Sequence, residues 1–268
     1  MSKGFLWFCQ NNKDTDYVEL SVALARSIKK YNKHNDVCVI TDKNTKINSE
    51  FIDIVKVLAY DESVNHDIKW GNEYKAFNLS PFKHTIKLAA DMLWTSNTDW
   101  WWNYLWQYDM VFSIDAYNYR NILVKDLNYR PHHFRNCLPN IYSDLTYFRR
   151  SIKTVRFGQV CEAITKNWNQ VCEQILINCH DQYPSTDIVY ALASRIIDPT
   201  QTNTADFPWF KIIHNKKKIN GLNHIKDQNN YLMPTIIDDK FYLGTNVINR
   251  PWHYVDKNTL GEINARIF

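Results

Sequence analysis

The stretch Gly4-Phe5-Leu6-Trp7-Phe8-Cys9 decides the fold. It is a continuous apolar run, stopped by the polar Gln10-Asn11-Asn12, and reads as a strand covered on both faces. The next segment has a different period. Asp14, Thr15 and Asp16 offer helix caps, and Tyr17 to Tyr31 sets Val18, Val22, Ala25 and Ile28 at helical spacing, with Lys29 and Lys30 in the last turn. Val37 to Thr41 (VCVIT) is a second buried strand that stops at Asp42, and Ile52 to Val57 reads as a third. Apolar strand, amphipathic helix, apolar strand is the opening of a parallel α/β sheet.

Working outward, Lys75 to Leu79 reads as a short helix ended by Ser80-Pro81. His84 to Leu88 is a strand that runs into Ala89-Ala90-Asp91-Met92. Thr98 to Gln107 reads as a tryptophan-rich helix, Met110 to Ile114 and Ile141 to Phe148 as strands, Phe157 to Ile177 as mostly helical, and Thr186 to Ile197 as a helix capped by Ser185 or Thr186. The C-terminal part reads as irregular: a lysine-rich turn at Lys216 to Lys218, then short apolar runs around Phe241 and Trp252. No repeat, low-complexity stretch or linker interrupts the chain. The expectation is one domain over 1–268, with a nucleotide-binding half (1–115) and an acceptor-side half with the tail (116–268).

Composition narrows the function. At 268 residues the chain can bury a sizeable core. A net charge of +4 permits a polyanionic partner but is modest for a dedicated nucleic-acid binder. The aromatic fraction, 15%, exceeds what packing needs and suggests stacking on rings or sugars beside an aromatic core. None of the six cysteines forms a C-x-x-C pair, so no zinc site is expected. Cys161, Cys172 and Cys179 sit in a helical segment and read as reduced, small apolar residues. No signal peptide and no membrane-length apolar run is seen, which leads to the expectation of a soluble cytoplasmic protein, with no membrane and no obligate protein partner.

Ligands of open α/β sheets bind beyond the carboxyl ends of the strands. Asp42, Asp91 and, less clearly, Asp115 lie at such ends. The segment Asn78-Leu79-Ser80-Pro81-Phe82-Lys83-His84-Thr85-Ile86-Lys87-Leu88-Ala89-Ala90-Asp91-Met92 resembles the central motif of nucleotide-sugar glycosyltransferases of the GT-A fold, in which a strand ends in a metal-holding D-x-D pair. Gly4 to Gln10 with the helix Tyr17 to Tyr31 resembles their nucleotide-binding first strand and helix. Asn140 to Phe148 resembles the strand behind the sugar. Pro184 to Ala191 resembles the segment that carries an acid beside the transferred sugar, and Ile213-His214-Asn215-Lys216 resembles a late His-x-Lys. The order of these segments is closest to small phage-encoded transferases and is more distantly like glycosyltransferase family 8.

The resemblance implies a Rossmann-like mixed sheet flanked by helices and a specific chemistry. A nucleoside diphosphate sugar, here expected to be UDP-linked, departs as a diphosphate whose charge a divalent cation neutralises. Asp91 and His214 would ligate the metal, and an imidazole ligand favours Mn²⁺ over Mg²⁺. Lys216, Lys75 and Asp42 would contact the donor. Asp187 would act near the transferred sugar as a general base or as a holder of its hydroxyls, although an acid in a first helical turn is also favoured by the helix dipole. Trp101, Arg250, Trp252 and His253 would meet the acceptor, within a segment, Asn249 to Lys257, that mixes rings and cations. Trp102 and Trp106 are expected in the core. His132-His133 reads as a loop rather than a metal site, because adjacent side chains point apart and no acid is seen nearby.

The chain departs from the pattern in one respect: the first acid of D-x-D is Ala89. That leaves open a metal held by Asp91 and His214 alone, weak metal dependence, an inactive chain or an altered sequence. For the acceptor, the likeness to phage enzymes implies the hydroxymethyl group of a modified pyrimidine in double-stranded DNA, with a glycan or a protein as alternatives. A non-catalytic nucleotide-sugar or nucleic-acid binding module, and an interaction protein with a merely aromatic core, are the readings from other classes.

Overall fold

In the computed structural model, which describes residues 2–64, 69–198, 200, 205–222, 232–255 and 257, β1 (Lys3–Cys9) is the spine. It pairs in parallel with β2 (Asp36–Thr41) on one side and β4 (His84–Leu88) on the other. Its side chains alternate between two cores, as the pleat requires. Phe5, Trp7 and Cys9 enter one, with Leu24 and Ile28 of α1 (Tyr17–Tyr31). Leu6 and Phe8 enter the other, with residues of α5 (Ile152–Lys166) and α7 (Thr186–Ile197). β1 is covered by apolar side chains on both faces, which is why its run shows no alternation.

The main sheet continues with β3 (Ile54–Val57) outside β2, then β9 (Ile141–Arg149) beside β4 and β6 (Met110–Ile114) at the far edge, in the order β3-β2-β1-β4-β9-β6. β9 runs antiparallel to both neighbours, so the sheet is mixed. It is flanked by helices on both faces, as expected for the fold class. Strands from both expected halves of the chain interleave in it. The crossover point lies between β1 and β4, where an open sheet of this kind presents a crevice for ligands. α1 starts where expected, with Asp16 accepting the Val18 and Glu19 amides. α7 starts with Ser185 accepting the Ile188 amide.

The C-terminal part is more regular than its sequence suggests. β10 (Ile213–His214) and β14 (Trp252–His253) join β5 (Met92–Leu93), β7 (Ala116–Tyr117) and β8 (Leu123–Val124) in a second sheet, in the order β5-β14-β10-β7-β8. β11 (Pro234–Ile237), β12 (Lys240–Leu243) and β13 (Asn246–Ile248) form an antiparallel meander. Strands of two to four residues carry no readable period. The lysine-rich turn is the start of a helical turn, α8 (Lys217–Asn220), closed by Gly221 at φ +67°.

Three further expectations are corrected. Cys172 and Cys179 are joined by a disulfide rather than reduced, because the chain turns back after α6 (Trp168–Gln174) and brings their Cα atoms to 5.1 Å. His132, in the short helix α4 (Pro131–Arg135), does have an acid beside it: its Nε2 lies 2.9 Å from Asp181. Of the tryptophan run, Trp101 and Trp102 are buried while Trp100 and Trp106 are exposed, since α3 (Trp101–Leu105) is short and turns the face of Trp101, Trp102 and Leu105 inward. Trp101 packs among Trp94, Trp209 and Phe210. No helix among the described residues is long and apolar enough to cross a membrane.

The tightest point of the spine is Gly4, where an added Cβ would lie 2.5 Å from the Phe82 ring and 2.6 Å from the Asp36 carbonyl oxygen. Gly4→Ala is therefore expected to lower stability by about 1–3 kcal/mol in urea unfolding. An unchanged midpoint would refute that packing. Thiol titration of the unfolded, unreduced chain should find the four free cysteines and not six.

Candidate functional site

The carboxyl ends of β1 and β4 open into a cavity of about 360 Å³. Phe8, Gln10 and Asn12 line it from the β1 side and Lys87, Ala89, Ala90 and Asp91 from the β4 side. Ser143 and Asp144 come from β9, Asp187 from α7, and His214, Lys216, His253 and Lys257 from the C-terminal part.

The second sheet assembles the centre of this cavity. β10 and β14 pair in parallel with His214 beside His253, and their Nδ1 atoms lie 2.9 Å apart. β14 pairs with β5 so that His253 faces Met92, next to Asp91. His253 thus lies between two acids: Nε2 is 3.3 Å from Asp91 and Nδ1 is 3.0 Å from Asp144. Burial pushes the His253 pKa down, but Asp144 and Asp91 outweigh it and raise it to about 10. Burial, with the charge of His253 beside it, holds His214 well below the usual histidine range.

Asp144 has no counterpart among the residues read from the sequence. Its backbone carbonyl accepts the Ala89 amide, so it stands on the strand next to the position where the first acid is missing. The β6–β9 register explains how it reaches the site. Phe112 pairs with Thr146 and Ser113 with Tyr142, so Ser143 to Leu145 bulge out of the ladder with β6. Bulges beside active sites re-aim side chains in this way.

Asp144, His214 and His253 each offer an atom to a common point, with the three atoms mutually within 4.8 Å. His214 supports this reading. Its Nδ1 faces the His253 Nδ1, and two ring nitrogens that face each other cannot both carry a proton. A neutral His214 protonated on Nε2 aims its Nδ1 lone pair at the point that Asp144 also faces. Two imidazole nitrogens and one carboxylate oxygen fit a divalent first-row transition cation, Mn²⁺ among them, better than Mg²⁺. Asp91 lies against the far nitrogen of His253, the position of a carboxylate that orients a ligating histidine.

Asp187 is held from three sides. Ser143 donates to Oδ1 through its amide at 2.8 Å and its hydroxyl at 2.7 Å, and Arg130 donates to Oδ2 at 2.5 Å. Burial works against ionisation, but the Arg130 guanidinium and the Ser143 bonds keep its pKa below the ordinary carboxylate value. Lys216 is exposed on the cavity wall. Lys257 reaches the wall and donates to the Tyr17 hydroxyl, and Lys69 lines the rim.

The other expected site residues lie elsewhere. Asp42 caps the turn after β2, accepting the Asn44 and Thr45 amides at 2.8 and 2.7 Å. Asp115 is tied to Asn140. Lys75 donates to the Tyr60 carbonyl at 2.6 Å and to Asn72 at 2.9 Å, outside the cavity. Trp101 and Trp252 are buried in the core and offer no face to an acceptor. Arg250 stacks on Tyr117, 3.9 Å from the ring centre. His253 belongs to the charged centre rather than to an outer wall, and Asp256 lies outside the described residues. Arg130 and Asp144 follow from tertiary contacts alone. Asp144 left one trace, an acid in the middle of a strand-forming segment.

The arrangement orders the ligands. With Mn²⁺ as probe, Asp91→Asn is expected to weaken binding by about 10–100-fold in titration calorimetry, and Asp144→Asn by more. The reverse order would restore Asp91 as a direct ligand.

No family model and no curated protein matches the sequence. Among solved structures, the chain is similar to the apo-form glycosyltransferase GlyE of Streptococcus pneumoniae TIGR4, with a TM-score of 0.50 and 11% identity. The match covers 96% of this chain and 55% of that one, so this chain spans about half of its length. The likeness is one of fold: a mixed sheet flanked by helices that a glycosyltransferase also uses.

Proposed function

We propose that this chain transfers a sugar from a nucleoside diphosphate sugar, UDP-linked, to a hydroxyl acceptor. One observation carries the reading. A single cavity at the β1/β4 strand ends joins a carboxylate–histidine group able to hold a divalent cation, a lysine-bearing wall, and an arginine-held carboxylate.

Each part has a task in such a reaction. A Mn²⁺ or Mg²⁺ ion on Asp144, His214 and His253 would supply Lewis-acid neutralisation of the leaving diphosphate. Lys216, two residues after His214, brings a point charge to the phosphates, and Lys257 and Lys69 add to the same positive wall. Asp187 is ionised and fixed, and both its oxygens already accept hydrogen bonds. That makes it a poor proton acceptor, while the remaining lone pair on Oδ2 can still take a sugar hydroxyl, so the holding role is favoured over the general base. A hydroxymethylated pyrimidine in DNA, the acceptor implied by the resemblance to phage enzymes, would have to be flipped from the duplex to reach the cavity. A glycan hydroxyl would need no such step.

Ala89 favours a second reading, a module that binds a nucleotide sugar without turning it over. Incubation with Mn²⁺ and a panel of nucleotide sugars, followed by assay of free nucleotide, separates the two. Release of UDP from one donor is expected. Asp187→Ala should lower kcat/KM by about 10²-fold, and Lys216→Ala should raise the donor KM by about tenfold. Thermal stabilisation by UDP with Mn²⁺ but no turnover would select the binding module. Absence of both turnover and thermal stabilisation with every nucleotide would overturn the proposal.

A further inference from the structure

The largest cavity among those described is not the one with the ionisable centre. It is a cleft of about 610 Å³ between the 3-10 turn Trp70–Lys75 and the segments around α6. The two cavities meet at Trp70, which lines both. The Trp70 indole N–H donates to the Pro184 carbonyl at 2.8 Å, and the residue is 45% exposed. A narrow space lined by Trp70, Glu73, Pro184 and Thr186 lies between them. A molecule in the cleft therefore sits one side chain away from the cavity that contains Asp187.

The chemistry of the cleft is specific. Its rings are Trp70, Tyr74, Trp168 and Tyr183, and its amides are Asn167, Asn169, Gln170 and Gln182. Trp168 is buried and fixed, with its indole N–H donated to the Asp181 carbonyl at 2.7 Å, so it forms the floor, while Tyr183 is exposed at the edge. Among the described residues, the charged ones that line it are Glu62 and Lys166, which lie 3.4 Å apart. The cleft thus pairs aromatic faces with amides that both donate and accept, and among the described residues it carries no uncompensated positive charge. Rings suit the apolar faces of a pyranose, and amides suit its hydroxyls, each of which donates and accepts in turn. A nucleic acid needs cations along its phosphate track, and this lining does not provide them.

We propose that the cleft binds a neutral oligosaccharide and that this oligosaccharide is the acceptor. The second half of the proposal rests on the transferase reading above; the first does not. The test is binding of an array of neutral oligosaccharides to the full chain, compared with the Tyr183→Ala/Gln170→Ala double variant. Calorimetric titration with UDP and Mn²⁺ runs in parallel, together with transfer assays on any oligosaccharide that binds. At least one oligosaccharide is expected to bind, with affinity falling by about tenfold or more in the double variant. Tyr183→Phe should retain binding, and UDP binding should be unchanged in all variants.

Failure of every neutral oligosaccharide to bind would overturn the proposal, as would binding that the double variant leaves intact. A hydroxymethylcytosine duplex that binds the wild type and is lost in the double variant would also overturn it, in favour of a DNA acceptor. Oligosaccharide binding without nucleotide binding would sink the transferase reading and the acceptor role while leaving the cleft assignment standing.

Discussion

Two part-buried carboxylates, Asp91 and Asp144, flank the His253 ring, one at each nitrogen, and a positive charge has to lie between them. A pair of acids in such a setting is costly unless it is neutralised at close range. The neutralising group is His253, or a divalent cation with His253 as ligand, and it comes from the last described strand of the chain. Much of the architecture follows from this requirement. The C-terminal segment must return across the molecule to pair with β5 beside Asp91, and β10 must run alongside so that His214 meets His253. The small second sheet brings charges together as well as closing the fold.

The aromatic surplus divides along the same lines. Most of it is structural. Trp94, Trp101, Trp102, Trp209 and Phe210 form edge-on and tilted contacts around Phe5 that hold α3 and the segment before β10 against the main sheet. This packing supports the strand that carries His214. A smaller set of rings, Trp70 and Tyr183 above all, remains at the surface beside the cavity, where a ring has a ligand's face to meet. The distinction is one of exposure and neighbours, which composition does not report.

The missing acid at position 89 also takes on a different meaning in three dimensions. Read along the chain, Ala89 removes half of a metal motif. Read across the sheet, the bulge in β9 brings Asp144 to the neighbouring strand, so a carboxylate is again present at the end of β4. A site needs donor atoms at a point in space, and those atoms can come from any strand whose register delivers them.

The main sheet was legible along the chain because its cause is local. Strands such as β1 and β2, covered on both faces, are apolar along almost their whole length, and helices such as α1 and α7 carry their caps and their period within a few residues. Asp91, His214, Asp187 and Lys216 were legible as candidates because acids at strand ends and an ordered set of motifs are properties of the sequence. Which of them meet was decided by tertiary structure. The side-by-side histidines depend on the pairing of two short strands 39 residues apart. Asp144 depends on a bulge, the grip on Asp187 depends on Arg130 57 residues before it, and the disulfide depends on a turn after α6. Contacts between residues far apart in sequence are set by register and closure of the whole sheet, and no local pattern records them.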